Sequence, residues 1–224
     1  MTDELSPRLR AVCDLNVAEE REYAGRHEYD GLIQDLSPAG VRSALAALAA
    51  AAGTGETLED PHDEAHLAAF EDRARIAFGE LELHRKNPLL HLFGLDLACY
   101  DRDYAPQADR DRARLTHLGH WPQAIDAAIA ALDQVSAPVA AALLAGIKGL
   151  AAGIPADAPP DAAAAARAAH QRLVTAITTA ATSGPADAAL GAPALTALMG
   201  GAGAPRAASA GPEVAAVVMA VTSR

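Results

Sequence analysis

His62 and His66 stand four residues apart just after Asp60-Pro61, so a helix starting there carries both imidazoles on one face, as a metal site requires. The pair falls short of a catalytic zinc helix. The position after the first histidine, where such a helix carries its glutamate, holds Asp63, and Glu64 comes one residue later. A helix N-terminus also disfavours positive charge, so two solvated imidazoles in an acidic first turn are the competing reading. The His-Glu dipeptide at His27-Glu28 has Gly31 where a second histidine would stand. Glu80, Glu82 and His84 imitate part of a carboxylate-bridged di-iron site, but that site needs Glu-x-x-His on each of two helices, which the chain does not supply. Glu80 and His84 read more simply as a surface pair one helical turn apart.

Nucleophile chemistry finds no Gly-x-Ser-x-Gly elbow, and the serines fall at helix starts or in the Gly-rich tail. Gly200-Gly201-Ala202-Gly203 lacks the Lys-Ser or Lys-Thr of a phosphate loop and reads as a linker. His117, His120 and Trp121, just before Pro122, either line a pocket or form a buried aromatic corner. The most informative stretch is Gly25-Arg26-His27-Glu28-Tyr29-Asp30-Gly31, followed by Asp35-Leu36-Ser37-Pro38. It is a polar, aromatic-bearing loop between two helices. Its His, Tyr and Asp form either a site or a local hydrogen-bond network that fixes the corner, because buried polar groups must be paired.

The elements that position these residues are helices. Ser6-Pro7, Ser37-Pro38 and Asp60-Pro61 each place a capping side chain before a proline at the first helical position. Helical spacing of Leu9, Val12, Cys13 and Val17 predicts a first helix running to about Tyr23, and Val41, Leu45 and Leu48 a second, stopped by Gly53 and Gly55. Leu67, Phe70, Ala74, Ala77, Phe78 and Leu81 form the stripe of a third, which ends at Asn87-Pro88. Leu89 to Tyr100, interrupted only by His91 and Asp96, predicts a helix buried on most sides. Trp121-Pro122 reads as the start of a helix and Pro138 as the start of the next, the two forming an antiparallel hairpin. Asp161 to Thr182 is an Ala-rich helical stretch, Gly184 to Pro212 is broken by Gly and Pro, and Val214 to Val221 is an apolar run. The expectation is an all-α bundle of antiparallel helices, about seven to nine of them, with residues 1–199 as the helical domain and residues 200–224 as a Gly/Pro-rich linker and apolar end.

Composition agrees. The 224 residues are 51% hydrophobic but only 4% aromatic, so the apolar content is Ala and Leu, which fill helix seams and not sandwich cores. With 18 Lys plus Arg against 29 Asp plus Glu, a net charge of −11 repels phosphate backbones and anionic lipid, which argues against nucleic-acid and membrane partners. Cys13 and Cys99 offer neither a disulfide framework nor a zinc ribbon, and Met1 to Arg10 has no apolar signal core, so a reduced cytoplasmic protein is expected.

Gly25-x-His27-x-Tyr29-Asp30 with Asp35-Leu36-Ser37-Pro38 resembles the opening of the bacterial domain-of-unknown-function 885 family, whose members look like zinc-dependent peptidases or carboxypeptidases. Arg85-Lys86-Asn87-Pro88-Leu89 is similar to that family's Arg-x-Asn-Pro segment before an apolar helix. Leu115 to Leu132 with the helix ending at Ile154, and Ala189-Leu190-Gly191 with Leu195 and Leu198, resemble later segments, so the likeness spans Leu5 to Met199. The family's His-Glu-x-x-His helix lies in a later half that this sequence does not contain.

The resemblance implies the N-terminal, non-metal-binding portion of such an enzyme, with His27, Tyr29, Asp30, Arg85 and Asn87 nearest to substrate or partner. It assigns no catalytic residue. The expected function is a non-catalytic binding or partner subunit, completing a peptide or amino-acid-derivative site with a separate metallopeptidase-like chain or with another copy of itself. The apolar Val214 to Val221 end supports association, since such a segment must be buried against something. No cofactor is expected, zinc entering only through a partner or a His62/His66 site. The alternative is a stand-alone small-molecule enzyme of a biosynthetic pathway using His27, His62, His66 or His117 in a helical pocket. A fragment without independent activity is the third reading.

Overall fold

A computed structural model describes residues 5–186. Among them are nine α-helices and no strand, as the all-α expectation required. In chain order these are α1 (Pro7–Asp14), α2 (Val17–Glu22), α3 (Pro38–Ala52), α4 (Pro61–Ala74), α5 (Leu83–Lys86), α6 (Pro88–Leu95), α7 (Gln107–Ala131), α8 (Ala137–Gly149) and α9 (Pro160–Ser183). No helix among the described residues is long and apolar enough to cross a membrane. The glycine cluster at Gly200, the apolar run Val214 to Val221, the boundary at residue 199 and the Ala189–Leu198 likeness lie outside the described residues.

The helix starts follow the local signals. Ser37 Oγ accepts from the Gly40 N–H at 3.0 Å, Asp60 Oδ1 from the His62 N–H at 2.7 Å and Asn87 Oδ1 from the Leu89 N–H at 3.0 Å, each ahead of a proline that donates nothing.

The ends and interiors differ in five places. The first helix breaks at Leu15 and Asn16, because Asn16 turns its side-chain amide back onto the Val12 carbonyl at 2.8 Å and the chain restarts as α2. The third widens into a π-turn over Arg75–Glu80 and stops at Glu82, which is left-handed at φ 48°. Phe70 lies on the solvent side of α4, half exposed, while Leu67, Ala74 and Phe78 are buried. The apolar Leu89–Tyr100 stretch is α6 followed by a 3-10 turn at Ala98–Asp101, because Asp96 Oδ1 takes the Ala98 N–H at 2.9 Å and ends the helix. Pro122 opens nothing and lies inside the 25-residue α7, whose neighbours Trp121 and Ile125 are fully buried. Losing one backbone hydrogen bond there weighs less than burying that face.

The expected hairpin of the helices near Trp121 and Pro138 is also replaced. The main packing partner of both α7 and α8 is α9. α8 and α9 run antiparallel: the Ala137 N–H donates to the Pro185 carbonyl at 2.9 Å, and His170 Nε2 donates to the Ile147 carbonyl at 2.7 Å. Trp121, Ala128, Ala140, Ala166, Ala169 and Ile177 form the centre of this core. A second core joins α1, α3 and α4 through Val12, Leu15, Val41, Leu48, Leu67 and Phe78. α6 and the segment from Gly25 to Ser37 lie where the two meet.

Candidate functional site

The Gly25–Gly31 corner takes a 3-10 turn at His27–Tyr29 and then reverses at Gly31, whose φ of +78° suits glycine. A Cβ at Gly31 would meet Thr116 Cβ at 3.1 Å, so the close approach of the corner to α7 also calls for glycine. The Gly31 peptide is held on both sides. Its N–H donates to Tyr100 Oη at 2.8 Å, and its carbonyl accepts from His120 Nδ1 at 2.9 Å.

Behind Tyr100 the chain of donors has one direction. His117 Nε2 lies 2.8 Å from the Gly94 carbonyl and so carries the proton, which leaves Nδ1 to accept from Tyr100 Oη at 3.0 Å. Burial, with the Arg21 charge nearby, pulls the His117 pKa down to about 3 and keeps the ring neutral. Burial likewise pushes the Tyr100 phenol above its ordinary range.

The three corner residues singled out by sequence do cluster. His27 stacks on Tyr104, with ring centroids 4.5 Å apart and planes 8° apart, and its Nδ1 lies 3.5 Å from Asp30 Oδ2. Tyr104 donates to the same Asp30 oxygen at 3.0 Å, while Asp30 Oδ1 is buried without a protein partner. Tyr29 turns inward, donating to Asp14 Oδ1 at 2.7 Å and accepting from Arg10 at 3.2 Å, so burial and then Asp14 raise its pKa. Arg85 and Asn87 do not join them. Arg85 clamps Asp133 through Nε and Nη2 at 2.9 and 2.7 Å and reaches Glu82 at 2.8 Å, tying α5 to the turn after α7. Asn87 caps α6.

His62 and His66 lie tilted against each other at the surface with centroids 4.2 Å apart, and no group of three metal-capable side chains occurs among the described residues. His117 and Trp121 are fully buried in mid-helix, whereas His120 faces the corner. Glu80 is exposed and His84 buried, so the pair one turn apart does not form.

Two features escaped the sequence reading. Arg8 is buried and fully engaged, holding Glu71 at 2.8 and 2.9 Å, Glu64 at 2.8 Å and the Glu56 carbonyl at 2.7 Å. The other is a groove of about 350 Å³ between the α6–Asp101 stretch and α8. Leu92, Leu97 and Leu150 form its apolar floor, Gly146, Gly149 and Gly153 one wall, and Asp96, Asp101 and Arg114 its polar rim. Asp96 Oδ1 is engaged by the Ala98 N–H, and Arg114 pairs with Asp101 through Nη2 while its Nε is buried without a partner. Gly146 and Gly149 belong to the end of α8, and Gly153 ends the 3-10 turn that follows it. A Cβ at Gly149 would meet nothing within 4 Å, whereas one at Gly146 or Gly153 would touch Leu92 or Leu97. No family model, no curated protein and no solved structure matches this chain.

Proposed function

We propose that this chain is a non-catalytic helical binding subunit whose groove takes an amine-bearing small molecule, such as a peptide N-terminus or an amino-acid derivative. The carrying observation is the groove itself: its volume of about 350 Å³ lies in the range of small-molecule sites, with an apolar floor and a few convergent polar groups. The ammonium group pairs with Asp96, and the side chain lies on Leu92 and Leu97. The glycine wall lets the ligand approach the backbone closely. The resemblance to the N-terminal half of the peptidase-like family supports a second chain as co-worker, either another copy or a metallopeptidase-like subunit.

Calorimetric titration with a dipeptide amide and its N-acetylated form tests this. Binding of the free amine only, weakened at least tenfold by Asp96→Asn and blocked by Gly149→Leu, is expected. Equal binding of both forms, or none at millimolar ligand, overturns it. A second reading, a stand-alone enzyme, rests on His27, whose half-exposed ring is oriented by Asp30 and stacked on Tyr104. Turnover of an amino-acid ester that is lost in His27→Gln and kept in Gly149→Leu favours that reading instead.

A further inference from the structure

Of the eight histidines, His84, His91, His117 and His170 are buried. Two more are committed to the corner, His27 stacked on Tyr104 and His120 bound to the Gly31 carbonyl. That leaves His62 and His66. His62 is exposed and His66 half-buried, with their ring centroids 4.2 Å apart. Beyond the helix ladder, the one hydrogen bond of either residue among those described is made by the His62 backbone N–H, which donates to Asp60 Oδ1 at 2.7 Å. The ring nitrogens are therefore uncommitted, and both imidazoles are available as ligands.

The backbone beneath the pair is already fixed. Asp60 caps α4, and Glu64, between the two histidines in sequence, is held by Arg8 at 2.8 Å and by the Leu58 N–H at 2.8 Å. Metal–imidazole bonds of about 2.0–2.1 Å place two ligating nitrogens about 3 Å apart. Rings four residues apart on one helical face, already side by side, reach that separation by side-chain rotation, so binding orders little of the chain. The helix dipole opposes a cation here with roughly half a positive charge. Asp60 and Asp63 each bring a full formal negative charge to the same turn, which outweighs it.

We propose that His62 and His66 form an open, two-nitrogen site for one divalent transition-metal ion, with copper(II) held most tightly. No third metal-capable side chain joins them among the described residues, so water completes the coordination and the ion exchanges freely, unlike the closed four-ligand sites that lock a structural metal in place. Imidazole ligands suit copper, nickel and zinc, and copper(II) stands highest in their common order of affinity. Magnesium prefers oxygen ligands and finds none here that the pair supplies. The site lies on α4, apart from the groove between α6 and α8, and its test does not depend on what the groove holds.

The full chain, carrying no affinity tag, is titrated calorimetrically with copper(II), nickel(II) and magnesium. The expected result is one tight copper(II) per chain, weaker nickel(II), no magnesium binding, and a copper electron paramagnetic resonance spectrum split by two nitrogens. His62→Ala and His66→Ala each weaken copper(II) binding at least tenfold. A double variant, His66→Ala with Ala68→His, keeps the number of imidazoles but moves the second one off the shared face to an exposed position. It is expected to bind as weakly as His66→Ala alone, with the circular dichroism of the parent. Parental copper(II) affinity in the double variant or in either single variant, splitting by fewer than two nitrogens, or magnesium binding equal to that of copper(II) overturns the proposal.

Discussion

The seams between α7, α8 and α9 are lined with alanines, Ala128, Ala140, Ala163, Ala166 and Ala169 all being buried, whereas α1 meets α4 through Arg8, Glu64 and Glu71. The difference follows from helix length. α7 and α9 have 25 and 24 residues, enough for a continuous apolar stripe, and small side chains let two such helices lie close over several turns. α1 has 8 residues, two turns that bury only a short apolar face around Val12, so directional bonds from one guanidinium supplement its packing. One block is held chiefly by volume, the other by a smaller core with ion pairing added.

The largest expected effect comes from breaking the first kind of contact. Trp121→Ala empties the centre of the α7–α9 block and should cost about 3–5 kcal/mol in urea unfolding. A loss near 1 kcal/mol would show that the block is not held by volume. Acid acts on the junction next. His117 and His91, pulled down to about 3 and about 4 chiefly by burial, stay neutral when folded but take protons near pH 6.5 when unfolded. Their contribution is complete above pH 6.5 and is lost as pH falls through the window down to 3–4, at about 1.4 kcal/mol per pH unit for each. Unfolding series between pH 7 and pH 5 should therefore slope downward, and less steeply in His117→Gln. Identical slopes would remove His117 from the account.

The pairing block is probed by Glu71→Ala, which strips Arg8 of its bidentate partner and should cost about 2–3 kcal/mol. In an Arg8→Met background the same change should cost much less, and an equal cost in both backgrounds would mean that Glu71 contributes without Arg8. The smallest effect is the loss of a cap: Ser37→Ala should cost about 1 kcal/mol, measured as a drop in the unfolding midpoint.

Sequence carried the helix starts because a cap and a proline act within one turn, as at Ser37 and Asp60, whereas Asn87, read only as a helix end, also caps the next helix. It misplaced the boundary at Pro122 because the deciding influence is tertiary: Trp121 and Ile125 face α9, whose residues come far later in the chain. The break at Asn16 was hidden for a different reason, since the apolar spacing of Val12, Cys13 and Val17 continues across it. At the corner, His27, Tyr29 and Asp30 were legible as an unusual polar cluster. Tyr104, the partner of Asp30, and Tyr100 and His120, which grip Gly31, lie some 70–90 residues away, where no spacing rule reaches. Arg85 and Asn87 entered through a resemblance and prove to be a clamp and a cap.

The double grip on Gly31 has a kinetic consequence. Its amide proton points at Tyr100 Oη, which is itself anchored through His117 to α6, so this proton meets solvent only when the corner lifts away from α7. Its exchange rate in heavy water is therefore a clock for the parting of the two halves, readable at a single backbone position while every helix remains intact.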